Sequence, residues 1–118
     1  MQPCEYPGCR NSGQRHHIVF RSQGGLDIEL NYKYLCAEHH TGDKGPHKCR
    51  AYDLELKKSV QNKLDYIFDD EYYTLAQIAN LIGANKKSIE KRFKTVPNRA
   101  GKYNREDIIR KIMGDRIY

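Results

Sequence analysis

The chain has 118 residues, of which 38% are apolar and 31% charged, with a formal net charge of +6 at neutral pH and a mean hydropathy of −0.88. That length allows one compact domain or two small ones, and burial alone would leave a subdomain of about 50 residues only marginally stable, so a staple is expected. No stretch approaches the roughly 18 consecutive apolar residues of a membrane-spanning helix, which excludes an integral helical membrane protein.

The chemistry-bearing residues lie in the first half. Residues 1–50 hold all five histidines, all four cysteines and six of the nine glycines. The absence of a signal-like apolar segment favours a reducing, cytoplasmic compartment, and there metal ligation is a better reading of four cysteines than disulfides. Cys4 and Cys9 enclose the turn-forming Glu5-Tyr6-Pro7-Gly8, and Cys36-Ala37-Glu38-His39 supplies a second pair at a spacing common in zinc knuckles. Together, Cys4, Cys9, Cys36 and His39 make a candidate structural Zn2+ site that ties the N-terminus to a segment some thirty residues on.

Between these pairs lies His16-His17-Ile18-Val19-Phe20-Arg21-Ser22-Gln23-Gly24-Gly25, followed by Asn31, Leu35-Cys36, His39-His40 and His47. Adjacent histidines on a strand point to opposite faces, so His16 and His17 are expected to do different jobs. The order resembles the HNH, or ββα-metal, nuclease motif, in which a histidine pair opens a hairpin, a polar glycine turn and an asparagine follow, and further histidines lead onto a helix.

The resemblance covers about residues 4–50 and implies a metal-dependent DNA endonuclease. His16, His40 and His47 would bind a catalytic divalent ion such as Mg2+ or Mn2+, His17 would act as general base, and Asn31 would brace the hairpin through main-chain hydrogen bonds. Arg21 is placed to contact a phosphate. The interval from His40 to His47 is longer than in compact family members, so Asp43 competes with His47 as third ligand. Because His39 stands where a second cysteine is usual, His39 and His40 can exchange roles and Cys49 can enter the zinc site.

A helix-period pattern follows, with Tyr52, Leu56, Val60, Leu64 and Ile67 or Phe68 on one face, predicting a helix over about 46–68 with Pro46 in its first turn. Asp69-Asp70-Glu71 marks a break. Thr74-Leu75-Ala76-Gln77 fits a capping box and Gly83 a helix stop, after which Asn85 can cap a second short helix carrying Ile89 and Phe93. Residues 96–103 read as a turn or small hairpin, and Asn104 can cap a last helix bearing Ile108, Ile109, Ile112 and Met113, stopped by Gly114.

Between Asn85 and Arg105, eight cations face only Glu90, a formal +7, which points to a polyanion as partner. With Tyr103-Asn104-Arg105-Glu106-Asp107-Ile108, the segment resembles winged helix-turn-helix domains of the excisionase and MerR-like kind. That resemblance implies DNA contacts from Lys86, Lys87, Lys91, Arg92, Lys94, Arg99 and Lys102, with Lys87, Lys91 and Arg92 at the surface of the second helix.

The expected fold is α+β: a zinc-stabilised ββα-metal module at 1–50, its helix continuing through a linker at 51–71, then a helical, winged helix-turn-helix module at 72–118. DNA is the expected partner, with a homodimer left open for a double-strand cut and a phage or mobile-element setting implied by the small size. A zinc-stabilised DNA-binding regulator with an inactive motif is the competing reading.

Overall fold

A computed structural model describes residues 2–118. Among them are two two-stranded antiparallel sheets and five α-helices, an α+β arrangement. Strand β1 (Gln14–His17) pairs with β2 (Tyr32–Leu35) so that His16 stands opposite Lys33 and His17 opposite Tyr32. The long connection between them has little regular structure, and Asn31 folds it. The buried Asn31 accepts the Val19 main-chain N–H on Oδ1 at 2.8 Å and donates through Nδ2 to the carbonyls of Val19 and Leu26, both at 3.0 Å. These bonds satisfy backbone groups that no sheet ladder reaches. The loop crosses itself so closely that a Cβ on Gly25 would lie 1.8 Å from the Val19 carbonyl oxygen.

A short helix α1 (Ala37–Thr41) follows β2 directly. The predicted helix over 46–68 starts later: α2 spans Arg50–Ile67. Residues 45–49 form a turn instead, in which the Gly45 carbonyl accepts the N–H groups of Lys48 and Cys49, and Cys49 is extended as the N-cap. Helix α2 buries Leu56, Val60 and Leu64, the expected face, together with Asp53 and Lys57, which periodicity alone does not place inside.

The second half begins with a strand that the sequence reading misses. β3 (Tyr72–Thr74) pairs antiparallel with β4 (Lys102–Asn104), Tyr73 opposite Tyr103; three residues are too few to display a two-residue period. At the start of α3 (Leu75–Ile82), Thr74 and Gln77 exchange side-chain-to-backbone bonds of a capping box, and Gly83 ends the helix at φ +69°. Asn85 caps α4 (Lys86–Arg92) and Asn104 caps α5 (Arg105–Ile112), each through its Oδ1. Between α4 and β4, Ala100 and Gly101 both have positive φ, and Arg99 and Lys102 exchange main-chain hydrogen bonds. That is a tight hairpin turn of the kind whose twist matches a β-ribbon.

One apolar cluster runs through both halves. Ile18, Val19, Leu26 and Ile28 from the hairpin connection join Leu56, Val60, Leu64 and Phe68 around α2, and these meet Ile78, Ile89, Phe93, Ile108 and Ile112. Arg92 reinforces the junction by donating from Nη1 to the Gly24 carbonyl at 2.6 Å, while Arg105 Nε donates to the carbonyl of Phe68 at 2.7 Å. By contrast, the N-terminal knuckle has a buried cluster of only Cys4, Leu35 and Cys36, flanked by Tyr6, Cys9 and Tyr52.

Because Leu64 is fully buried in the shared cluster, Leu64→Ala should cost about 2–5 kcal/mol, as expected for deleting a packed leucine. In a urea titration followed by amide NMR, residues 16–19 and 106–112 should then lose native intensity at one common, lowered midpoint. Two separate midpoints would show that the halves unfold independently.

Candidate metal centres

The N-terminal knuckle brings two sulfurs to the end of β2. Main-chain bonds from Cys4 N–H to the Asn11 carbonyl and from Cys9 N–H to the Tyr6 carbonyl close the loop, and Glu5 and Tyr34 tie it to the strand. Cys36 caps α1, and one turn on, His39 comes back over it. The distances are 3.8 Å for Cys9 Sγ to Cys36 Sγ, 3.6 Å for Cys4 Sγ to His39 Nδ1 and 3.3 Å for Cys36 Sγ to His39 Nδ1. A tetrahedral zinc with bonds of about 2.3 Å to sulfur and about 2.0 Å to nitrogen requires S···S edges near about 3.8 Å and S···N edges near about 3.5 Å. Cys4, Cys9, Cys36 and His39 therefore form a cluster with the spacing and chemistry to hold a metal such as zinc. The His39 main-chain N–H, working against the desolvation of the thiol, pulls Cys36 down to about 6, towards the thiolate a metal needs. Tyr6 stacks on the His39 ring, with centroids 3.9 Å apart and planes 3° from parallel, and so fixes the ring's orientation.

A second cluster lies on the other side of α1. His16 from β1, His40 from α1 and His47 from the turn before α2 each offer a ring nitrogen, all within 4.8 Å of one another. His40 Nε2 and His47 Nε2 are 3.1 Å apart. The other nitrogen of His40, Nδ1, lies 3.2 Å from Gln14 Oε1; a proton held there leaves the Nε2 lone pair directed into the cluster. Gln14 could have been anticipated, since it lies two residues before His16 and shares its face of the strand. His16 Nε2 is buried without a hydrogen-bond partner. A buried ring nitrogen without a partner is costly, and a cation bound to its lone pair would satisfy it. Burial, with the neighbouring His40 and His47, pushes the His16 imidazole down to about 3, and burial followed by His47 lowers His40. The group has three His ligand atoms and, among the described residues, no fourth, so an ion bound there would keep an open coordination position.

His17 takes the opposite face of β1. Its Nε2 lies 2.6 Å from Asp27 Oδ1, and this hydrogen bond holds the Asp27 carboxyl below its usual range. No short-range spacing announces Asp27; the folded connection brings it back ten residues after His17. His16, His17, His40 and His47 line a cleft of about 220 Å3 together with Arg15, Phe20 and the exposed Arg21.

Cys49 is a half-buried free thiol outside the sulfur cluster, and Asp43 is exposed, 3.8 Å from Lys48 and outside the histidine cluster. Lys86, Lys87, Lys91, Lys94, Arg99 and Lys102 are all exposed. Arg92 is not among the surface cations the sequence suggested: it is half-buried, its guanidinium on the Gly24 carbonyl. Arg105 is likewise engaged internally, at the C-terminal end of α2. No helix of the described residues is long and apolar enough to cross a membrane. Comparison with family models, with curated proteins and with solved structures finds no match.

Cys36→Ser should bring the zinc content of purified protein close to zero and collapse the amide dispersion of residues 2–13, because so little apolar surface holds the knuckle. Stoichiometric zinc in that variant, measured by elemental analysis, would mean that the cluster is not the metal site. His16 supplies a pH test. Its folded value, about 3, lies below the ordinary 6.5, so between these limits the unfolded chain binds a proton that the folded chain does not. The neutral His16 contribution is complete above about pH 6.5 and is lost as pH falls towards about 3. Replacing His16 with Asn should therefore shrink the fall in melting temperature between pH 7 and pH 5. An unchanged fall would show that His16 is not held neutral.

Proposed function

We propose that the chain is a metal-dependent DNA endonuclease of the HNH type, with residues 72–118 acting as a winged helix-turn-helix reader of the substrate. The observation that carries this reading is the convergence of His16, His40 and His47, with His16 Nε2 buried and unpartnered, in a cleft that also holds His17 and Arg21. A structural metal alone would not call for an open ligand position beside a separate, oriented imidazole.

In this reading His16, His40 and His47 would hold a divalent ion, which would supply Lewis-acid stabilisation to the phosphate and the leaving oxygen. Asp27 occupies Nε2 of His17, which leaves Nδ1 to accept a proton from the attacking water. The water oxygen bonds to phosphorus, its proton passes to His17, and the bond to the 3′ oxygen breaks, that oxygen taking a proton from solvent, giving 5′-phosphate and 3′-hydroxyl ends. Arg21, exposed at the cleft, neutralises a phosphate oxygen, and Asn31 keeps the connection that carries Asp27 in register with β1.

The reader rests on charge and shape. Helix α4 presents Lys86, Lys87 and Lys91 with Ile89 turned into the core, and the hairpin tip presents Arg99 and Lys102. Insertion of α4 into a major groove would place the tip against the flanking phosphates. Arg92 then holds the reader against the glycine turn and makes no contact with DNA.

Supercoiled plasmid incubated with the protein should be nicked or linearised with magnesium or manganese and left intact with EDTA. His17→Ala should lower that rate by about 10²–10⁴-fold, the usual worth of a general base, with little change in metal content or DNA affinity. His40→Ala should lose the second ion and the activity together. Retardation of DNA without cutting under any divalent ion would favour a regulator over a nuclease.

A further inference from the structure

A second cavity of about 220 Å3 shares Phe20 and His47 with the histidine cleft. Its charged wall comes from Lys48 before α2, Arg50, Asp53 and Lys57 on its first turns, and Arg116 near Tyr118, which also lines it. Lys57 and Asp53 are 2% and 7% exposed and neutralise each other at 2.9 Å. Lys48, Arg50 and Arg116 are left in excess. Lys48 is 3.8 Å from Asp43, but both groups are largely exposed, so that pair is worth little in water. Arg50 and Arg116 form no ion pair among the described residues.

The placing of Arg116 is built into the fold. After α5, Gly114 and Asp115 both have positive φ, which turns the chain back towards α2. There Gln61 grips Tyr118 from both sides, its Oε1 accepting the Tyr118 N–H at 2.6 Å and its Nε2 donating to the Tyr118 carbonyl at 2.7 Å. The Tyr118 ring reaches over the buried Lys57. The pinning of Tyr118 holds Arg116 in the wall of the cavity that His47 also lines.

We propose that this cavity is a phosphate subsite, in which Arg116, Arg50 and Lys48 hold the phosphodiester neighbouring the scissile one, on the His47 side of the cleft. The anion chemistry rests on the cavity itself; that the phosphate belongs to a polynucleotide rests on the nuclease reading. Two guanidinium groups suit a phosphate because each can present paired N–H donors to its oxygens. An internal phosphodiester is favoured over a terminal one because the cavity and the cleft lie side by side, sharing Phe20 and His47.

The test uses the full chain, zinc-loaded and without magnesium or manganese, so that a 20-base-pair duplex is bound and not cut. Arg116→Gln and Arg50→Gln should each flatten the slope of log affinity against log salt by about 0.9, one phosphate contact. Lys63→Gln, which removes an exposed charge of the same helix outside this cavity, should not. Zinc content and melting temperature should stay at wild-type values. Equal affinity for duplexes with and without 5′-phosphates supports the internal phosphodiester; a preference for the phosphorylated ends that Arg116→Gln erases would identify a terminal phosphate in the same subsite. Arginine variants indistinguishable from Lys63→Gln would overturn the subsite. Wild-type binding with these slopes but no plasmid cleavage under any divalent ion would sink the nuclease reading and leave the subsite standing. If the duplex is not bound at all, titration with inorganic phosphate decides: shifts of the Arg50 and Arg116 Nε–H resonances support the subsite, and their absence overturns it.

Discussion

The arrangement depends on one short helix having to serve two clusters. Helix α1 is five residues long and begins just after its N-cap, Cys36, and successive residues of a helix point about 100° apart. His39 therefore turns towards Cys4, Cys9 and Cys36, and His40 turns away, towards His16 and His47. When a metal holds the first cluster, it fixes the pitch and rotation of α1 and with them the position of His40 Nε2. The knuckle has too little buried apolar surface to do this by packing alone. Strand β1 makes the same division in extended form, sending His16 inward and leaving His17 for Asp27.

Behind the second cluster, packing replaces covalent or metal constraint. His47 sits in a turn, not on a helix, and Phe20 stacks against it with ring centroids 5.1 Å apart and planes 21° from parallel. Lys57 Nζ lies 4.1 Å from the centre of the other ring, Phe20, and is itself held by Asp53. A buried ion pair is a poor source of stability, because desolvation offsets most of its attraction. Its effect here is positional: a cation with a fixed address supports the aromatic ring against which an otherwise exposed histidine rests.

The two halves are joined by more than the α2 helix. The guanidinium groups of Arg92 and Arg105 are both spent on backbone carbonyls, one on the glycine turn of the first half and one on the end of α2. Six exposed cations remain between Lys86 and Lys102. With one apolar cluster running from Ile18 to Met113, the charged surface of α4 and the histidine cleft are held in a fixed relation. Under the proposed function, that relation would set where a bound duplex meets the cleft.

Much of the local structure was readable in the sequence because it depends on near neighbours. The capping box at Thr74 and Gln77, the Asn85 and Asn104 caps and the Gly83 stop each involve residues within four positions of one another. The Cys/His cluster was readable for a related reason, since knuckle spacing is a local property. Strand β3 was not readable, because its pairing partner lies some thirty residues away and three residues carry no period. The burial of Asp53 and Lys57, the turning inward of Arg92 and the return of Arg116 to the cavity beside the histidine cleft were decided only by tertiary structure. A charged side chain looks solvated in sequence whatever its destination, and its place is set by which carbonyl, ring or carboxylate the folded chain brings within reach.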